Sequence, residues 1–137
     1  MLKEIAVHTR KKQEIIDISG MVQEVISDSI VKNGLCVVYV PHATAAVMVN
    51  ENADPNIQTD TIDALSALIP EGKWRHDRVD GNAAAHIKAS IVGPSETIVI
   101  EGGKLVLGTW QSIMLADFDG PRVRTVLVKI IPDREGT

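Results

Sequence analysis

Residues 35–55 read LCVVYVPHATAAVMVNENADP, and this run decides the fold. Leu35 to Val40 is a nearly continuous apolar run rich in β-branched residues, which predicts a strand buried on both faces. Pro41 ends it, since proline has no N–H for a ladder, and His42 follows at its mouth. Ala45 to Val49 predicts a second strand before the chain turns polar at Asn50, Glu51 and Asn52. Asp54-Pro55 then opens a helix, a capping carboxylate followed by proline at the first helical position.

Upstream, residues 2–9 alternate with Ile5 and Val7 on one face, and residues 13–18 follow with Glu14, Ile16 and Ile18. With the polar loop Arg10-Lys11-Lys12 between them, the two read as an antiparallel hairpin. Ser19 reads as a helix cap, Val22, Val25, Ile26 and Ser29 fall at helical spacing, and Asn33-Gly34 supplies a left-handed stop. That predicts a helix over residues 20–32.

Downstream, Ile57, Ile62, Leu65, Leu68 and Ile69 form the apolar stripe of the helix that Asp54-Pro55 opens and Pro70 closes, weakened at its first turn by Gln58. Residues 70–82 read as a loop, 83–92 as an alanine-rich helix ended by Gly93-Pro94, 97–100 as a strand, and 104–107 as a short returning element after Gly102-Gly103. Residues 109–116 alternate, with Gln111, Ile113 and Leu115 on one face and Trp110, Ser112 and Met114 on the other. Asp119-Gly120-Pro121 turns the chain into a last strand, 122–131, with Val126, Val128 and Ile130 inward and Arg122 and Arg124 in phase with them. Strands at both ends, helices between them and tight turns predict an α+β fold. The expected form is a mostly antiparallel sheet or sandwich with three helices, in a single domain over residues 1–137; a doubly wound parallel sheet fits less well.

A chain of 137 residues, 45% hydrophobic and 23% charged, has material for one core. A net charge of -4 with no Lys/Arg block argues against nucleic acid as the main partner, and at 3% aromatics stacking platforms are few. No apolar run approaches the ~20 residues of a membrane span, and MLKEIAVHTRKKQE mixes acids where a signal peptide is basic and then apolar. A cytoplasmic location is expected. Cys36 is alone, so it makes no internal disulfide and reads as a buried thiol.

Polar chemistry gathers in WRHDRVDGNAAAHIKASIVG, residues 74–93, with His42 to Asp54 as its partner cluster. His42, His76 and His86 supply three imidazoles, a set that can hold Zn²⁺ with one position open. None of the three pairs has the i, i+4 spacing of a shared helical face, so only the fold can join them, and each alone also fits a hydrogen-bonded loop or core residue. Asp80-Gly81-Asn82 precedes a helix, with Asn82 as its cap; the helix N-terminus either holds a phosphate or carboxylate or is simply well capped. His86 and Lys88 lie about 200° apart around that helix and cannot easily serve one atom together. Asn50, Glu51 and Asp54 suit a general base or a hard cation such as Mg²⁺, or a capped helix start. Trp110 reads as core or interface.

The runs HATAAVMVNENADP, HDRVDGNAAAHIKASIVG and KLVLGTWQSIMLADFDGPRVR, in this order, resemble the YjbQ-like family, whose members have been associated with a secondary thiamine-phosphate synthase activity. The resemblance covers nearly the whole chain. It implies a compact α+β domain assembled as a trimer, with sites near subunit boundaries. It also implies that His42, Asn50, Glu51, Asp54, His76, Asp80, Asn82, His86, Lys88 and Gln111 match the family's recurrent polar positions. Two positions depart. Where the family often reads HTT or HTS, this chain has His42-Ala43-Thr44, which leaves Thr44 to bind an anion. Trp74 stands where an aromatic, commonly Tyr, is expected, keeping a stacking face without a phenolic proton donor.

Two functions are therefore expected, from different classes. The resemblance implies a transferase that joins a pyrimidine methyl diphosphate to a thiazole phosphate, giving thiamine phosphate and pyrophosphate. A departing pyrophosphate needs Mg²⁺, helix N-termini or cations. Glu51 and Asp54 would hold Mg²⁺, Asn82, Lys88 and Arg122 would hold phosphate, and Thr44, Asn50 and Gln111 would add substrate contacts. Asp80, His86 and Glu51 would move protons. The alternative is a metal- or anion-binding protein of unknown native ligand, with His42, His76 and His86 as a Zn-type site. In either case the expected partner is a small phosphorylated metabolite, the cofactor a divalent metal, Zn²⁺ or Mg²⁺, and the assembly a homotrimer without nucleic acid or membrane.

Overall fold

In the strand Val123–Pro132, Arg124, Val126, Val128 and Ile130 are buried and the residues between them are not. That is the signature of a strand with one face in a core. The structure, a computed structural model, describes residues 1–134. Its elements are β1 (Leu2–His8), β2 (Glu14–Asp17), α1 (Ser19–Ser27), β3 (Gly34–Tyr39), β4 (Ala45–Glu51) and α2 (Asn56–Leu68). A 3₁₀ turn (Arg75–Arg78), α3 (Ala83–Val92), β5 (Ser95–Glu101), β6 (Lys104–Leu105), β7 (Gln111–Asp117) and β8 (Val123–Pro132) follow. The α+β reading with three helices and antiparallel sheets holds.

The strands form two antiparallel sheets, β1-β8-β3-β5-β6 and β2-β7-β4. Their inner faces meet through Val38, Ile98 and Val128 on one side and Val47, Ile113 and Leu115 on the other, with Val22, Val25 and Ile26 of α1 filling the end of the gap. Side chains of this kind contribute about 1.5–3 kcal/mol each when fully buried. The far face of the smaller sheet carries Ala46, Met114, Ala116 and Phe118, covered by Ala85 and Ala89 of α3 and by Ile62 and Leu65 of α2. Small residues at 85 and 89 let α3 lie close on the sheet. Among the described residues no helix is long and apolar enough to cross a membrane.

Four local expectations are corrected. β1 and β2 do not form a hairpin: β1 pairs with β8 and β2 with β7, so the basic loop carries the chain from one sheet to the other. Alternation shows that a segment is a strand, not which strand it joins. β3 is buried on one face only, because among the described residues nothing covers the outer face of the larger sheet, where Leu35, Tyr39, Val99 and Ile131 stay exposed. α1 ends at Ser27, before Asn33-Gly34, as Ser29 turns back with its N–H and hydroxyl both donating to the Ile26 carbonyl. Ser19 does not cap α1; its hydroxyl instead accepts the Ile113 N–H across the sheet at 2.8 Å.

Candidate functional site

β3 pairs with β8 as far as Tyr39 opposite Leu127. Two residues on, Pro41 would stand opposite Thr125, but proline cannot continue the ladder and the chain leaves the sheet. The side chain of His42 takes over: its Nε2 accepts the Thr125 N–H at 2.8 Å. Burial first, and the Arg124 guanidinium second, hold the His42 imidazole below its ordinary pKa.

Behind His42 lies a buried ion pair. Arg124 is in phase with the inward residues of β8, and Asp117 ends the inward row of β7 after Ile113 and Leu115. The Arg124 Nη2 donates to Asp117 Oδ1 at 2.7 Å and Nε to Oδ2 at 3.1 Å, with a further bond from Nη2 to the Thr44 hydroxyl at 2.8 Å. Thr9 donates its hydroxyl to Asp117 Oδ2 at 2.7 Å. Burial alone would raise the Asp117 carboxyl, but the bonds from Arg124, Thr9 and the Asp119 N–H outweigh it and hold the group below its usual range. Gly120 closes over this network: a Cβ there would run into the Lys11 carbonyl oxygen and lie 2.8 Å from the Thr9 hydroxyl.

His42 and His86 open onto one cleft of about 400 Å³, whose wall includes Ala45, Ala89 and Pro94. On its other side His86 lines a second cleft, about 320 Å³, with Trp74, His76 and Ile87. The rings of His76 and His86 meet edge to face at 4.8 Å between centroids. The three predicted histidines therefore lie along one surface track. Asp80 sits 3.7 Å from His76 Nε2. Trp74 is fixed by its indole N–H, which donates to the Pro70 carbonyl at 2.7 Å.

The start of α3 is occupied from within the chain. Asp77 accepts the Ala83 N–H at 3.0 Å through Oδ1 and the Trp74 N–H at 3.0 Å through Oδ2. Those two N–H groups, Trp74 first, lower its pKa. Asn82 stands at the cap position but makes no capping bond; its amide donates to Asp119 Oδ2 at 3.0 Å, and its own Oδ1 is buried with no hydrogen-bond partner. The expected cap is thus corrected, and an external anion would meet the Asp77 carboxylate at this helix end. Arg122 also serves Asp119, at 3.2 Å from Oδ2 and 2.7 Å from the carbonyl.

Other predicted residues stand apart from the track. Asn50 and Glu51 lie at the far end of β4, with Asp54 beyond it. Six residue steps of a strand put Glu51 about 20 Å from Ala45, so within one chain the His42-to-Asp54 cluster divides in two. Glu51 and Asn50 border a crevice under α2 with no room for a water molecule. Asp54 accepts the Asn56 N–H at 2.9 Å, but Pro55, not Asp54, stands at the cap position and α2 begins at Asn56, one residue later than expected. Gln111 accepts the Gly108 N–H at 2.8 Å. Lys88 is buried at 2% exposure, its Nζ donating to Gln13 Oε1 at 2.8 Å and Ser66 Oγ at 3.1 Å. Burial is the first cause that lowers its pKa. His86 and Lys88 do face apart, as the helical geometry requires.

Asp117, Asp119 and Thr9 were not anticipated as site residues. Their signal was present: a carboxylate in phase with the core on one strand and an arginine in phase with the core on another.

A family model described as UPF0047 protein YjbQ-like matches residues 3–133. UPF0047 protein MJ1081 of Methanocaldococcus jannaschii is 50% identical over 98% of this chain and 96% of its own. UPF0047 protein YugU of Bacillus subtilis is 40% identical over 96% and 99%. A crystal structure of a yjbq/upf0047 family protein of Clostridium acetobutylicum superimposes with a TM-score of 0.90 at 46% identity, covering 94% of this chain and 99% of that one. Hypothetical protein APE1520 of Aeropyrum pernix superimposes with a TM-score of 0.93 at 42% identity, covering 97% and 99%. These relatives are named by family alone, and none of their names supports a thiamine-phosphate synthase activity, so that expectation is corrected. The alternative of a metal site at His42, His76 and His86 is corrected as well. Among the described residues no group of three His, Cys, Asp or Glu side chains could hold a metal. The physical reason at His42 is that a neutral imidazole has one lone pair, and here it is spent on Thr125.

Proposed function

We propose, from the premise that this chain belongs to the YjbQ-like UPF0047 family, that its histidine track binds a small phosphorylated metabolite bearing a flat ring. The observation that carries this reading is the pair of adjoining clefts that share His86, one ending at His42 and the other at Trp74. Trp74 and the two edge-to-face imidazoles present flat apolar surface of the kind an aromatic or heterocyclic ring stacks on. Lys73, Arg75 and Arg78 surround Trp74 and His76 in sequence, are exposed, and make no ion pair among the described residues. These cations are free to take the phosphoryl group.

The reading extends to assembly and location. The protein works in the cytoplasm as a homotrimer, with neither nucleic acid nor membrane as partner. The uncovered outer face of the larger sheet, with Leu35, Tyr39, Val99 and Ile131 exposed, supports self-association.

The test uses Trp110→Phe, which leaves Trp74 as the one tryptophan of the two in the chain. Adenosine monophosphate, ribose 5-phosphate and inorganic phosphate are titrated while Trp74 emission is followed. The reading expects the ring phosphate to change emission most and Arg75→Ala/Arg78→Ala to weaken it. No response to any of the three at millimolar concentration sinks it.

A further inference from the structure

The cleft wall at His42 has a fixed polarity. A neutral imidazole carries one N–H and one lone pair, and which nitrogen holds which is set by the partner of the other. At His42 the partner is a backbone N–H, which can only donate, so the lone pair must sit on Nε2 facing Thr125. The proton of the ring is then on Nδ1. The rest of the first cleft combines the apolar Ala43, Ala45, Ala89 and Pro94 with the polar His86 and Ser90.

We infer that His42 is a specificity-determining residue, held by Thr125 as a neutral Nδ1–H donor that admits ligands presenting a hydrogen-bond acceptor, a carbonyl or phosphoryl oxygen, to the cleft. This rests on the reading of the histidine track as a small-molecule site. Two features oppose escape from that form. Adding a proton would place a charge on a partly buried ring and, second to that, beside the Arg124 guanidinium. Moving the proton to Nε2 would set two N–H groups against each other at 2.8 Å. A ligand group that can only donate, such as an ammonium, would leave the Nδ1–H without an acceptor, and a site loses much affinity when its polar groups are left unpaired.

Two substitutions separate the roles of the ring. The amide of glutamine reaches the position of Nε2 and that of asparagine the position of Nδ1. His42→Gln therefore keeps an acceptor for Thr125 and loses the donor in the cleft; His42→Asn keeps the donor and abandons Thr125. The expected results are an unchanged melting temperature with about tenfold weaker binding of adenosine monophosphate for His42→Gln. For His42→Asn they are a melting temperature lower by about 4 °C with binding largely kept. Long-range proton–nitrogen spectra of the imidazoles supply an independent measurement on the unliganded protein, with a bare Nε2 and a protonated Nδ1 expected for His42 at neutral pH. Wild-type affinity in His42→Gln, an Nε2–H tautomer or an imidazolium would each overturn the inference. Should the wild type bind none of the probes, the reading of the track fails, while the spectra alone decide the state of His42.

Discussion

Arg124 on β8 and Asp117 on β7 tie the two sheets together through a two-pronged ion pair whose side chains are 4% and 0% exposed. Removing one partner leaves an uncompensated charge where water cannot reach it. Asp117→Ala is expected to lower unfolding stability by about 3–5 kcal/mol, read from urea unfolding. Replacing both ions together by apolar residues of similar volume is expected to cost less than the single change. Equal losses would show that the pair is not the source of the effect.

Lys88 offers the opposite case. Its ammonium is buried against neutral groups, Gln13 and Ser66, and those two also bond each other, at 3.3 Å from Gln13 Nε2 to Ser66 Oγ. Lys88→Met keeps the length of the side chain and removes a desolvated charge. It is expected to be neutral or stabilising by about 1 kcal/mol, whereas Lys88→Ala opens a cavity and costs about 2–4 kcal/mol. Thermal unfolding of the two variants side by side checks the order.

The depressed pKa of His42 gives stability a pH dependence with a definite sign. In the unfolded chain the ring titrates near 6.5, and in the folded chain it titrates lower. Between the two values the unfolded state binds more protons, so stability falls as pH drops through 6.5 and levels off below the folded pKa. Unfolding of wild type and His42→Gln at about pH 7.5 and about pH 5.5 should show the larger acid loss in wild type. An equal loss in both would place the acid sensitivity elsewhere.

Gly120 sits where a Cβ would strike the Lys11 carbonyl and crowd Thr9 and Asp117, 2.8 and 3.0 Å away. Gly120→Ala is expected to destabilise by about 1–3 kcal/mol and to disturb the Arg124 network. Gly81, with nothing within 4 Å of an added Cβ, suffers only from its positive φ of 67°. Its alanine variant should lose about 1 kcal/mol. Crystal structures or melting curves of both variants separate collision from conformational strain.

Periodicity made the strands and helices legible, down to the two faces of β7, where Ile113 and Leu115 enter one core and Met114 enters the other. Partners were less legible. The hairpin expected at residues 2–18 failed because alternation carries no address, and β1 and β2 find their mates more than ninety positions away in sequence, at β8 and β7. In the site, the join of His76 to His86 was anticipated as one polar run, and His42 did reach the same track. The metal reading failed on a backbone N–H, that of Thr125, which composition and spacing do not reveal. Asp77 took the helix start assigned to Asn82 because a carboxylate in a 3₁₀ turn reached Ala83 from outside the expected position.

The seven residues of β4 act as a ruler. One end, beside Thr44, stands in the histidine cleft; the other presents Asn50 and Glu51 about 20 Å away. A metabolite of ordinary size cannot span that distance within one chain. If both ends serve one molecule of ligand, they come from two copies, and two inactive variants, one altered at His42 and one at Glu51, should restore a functional site when mixed. If only one end serves, mixing restores nothing. The length of one strand thus turns a question about chemistry into a complementation experiment.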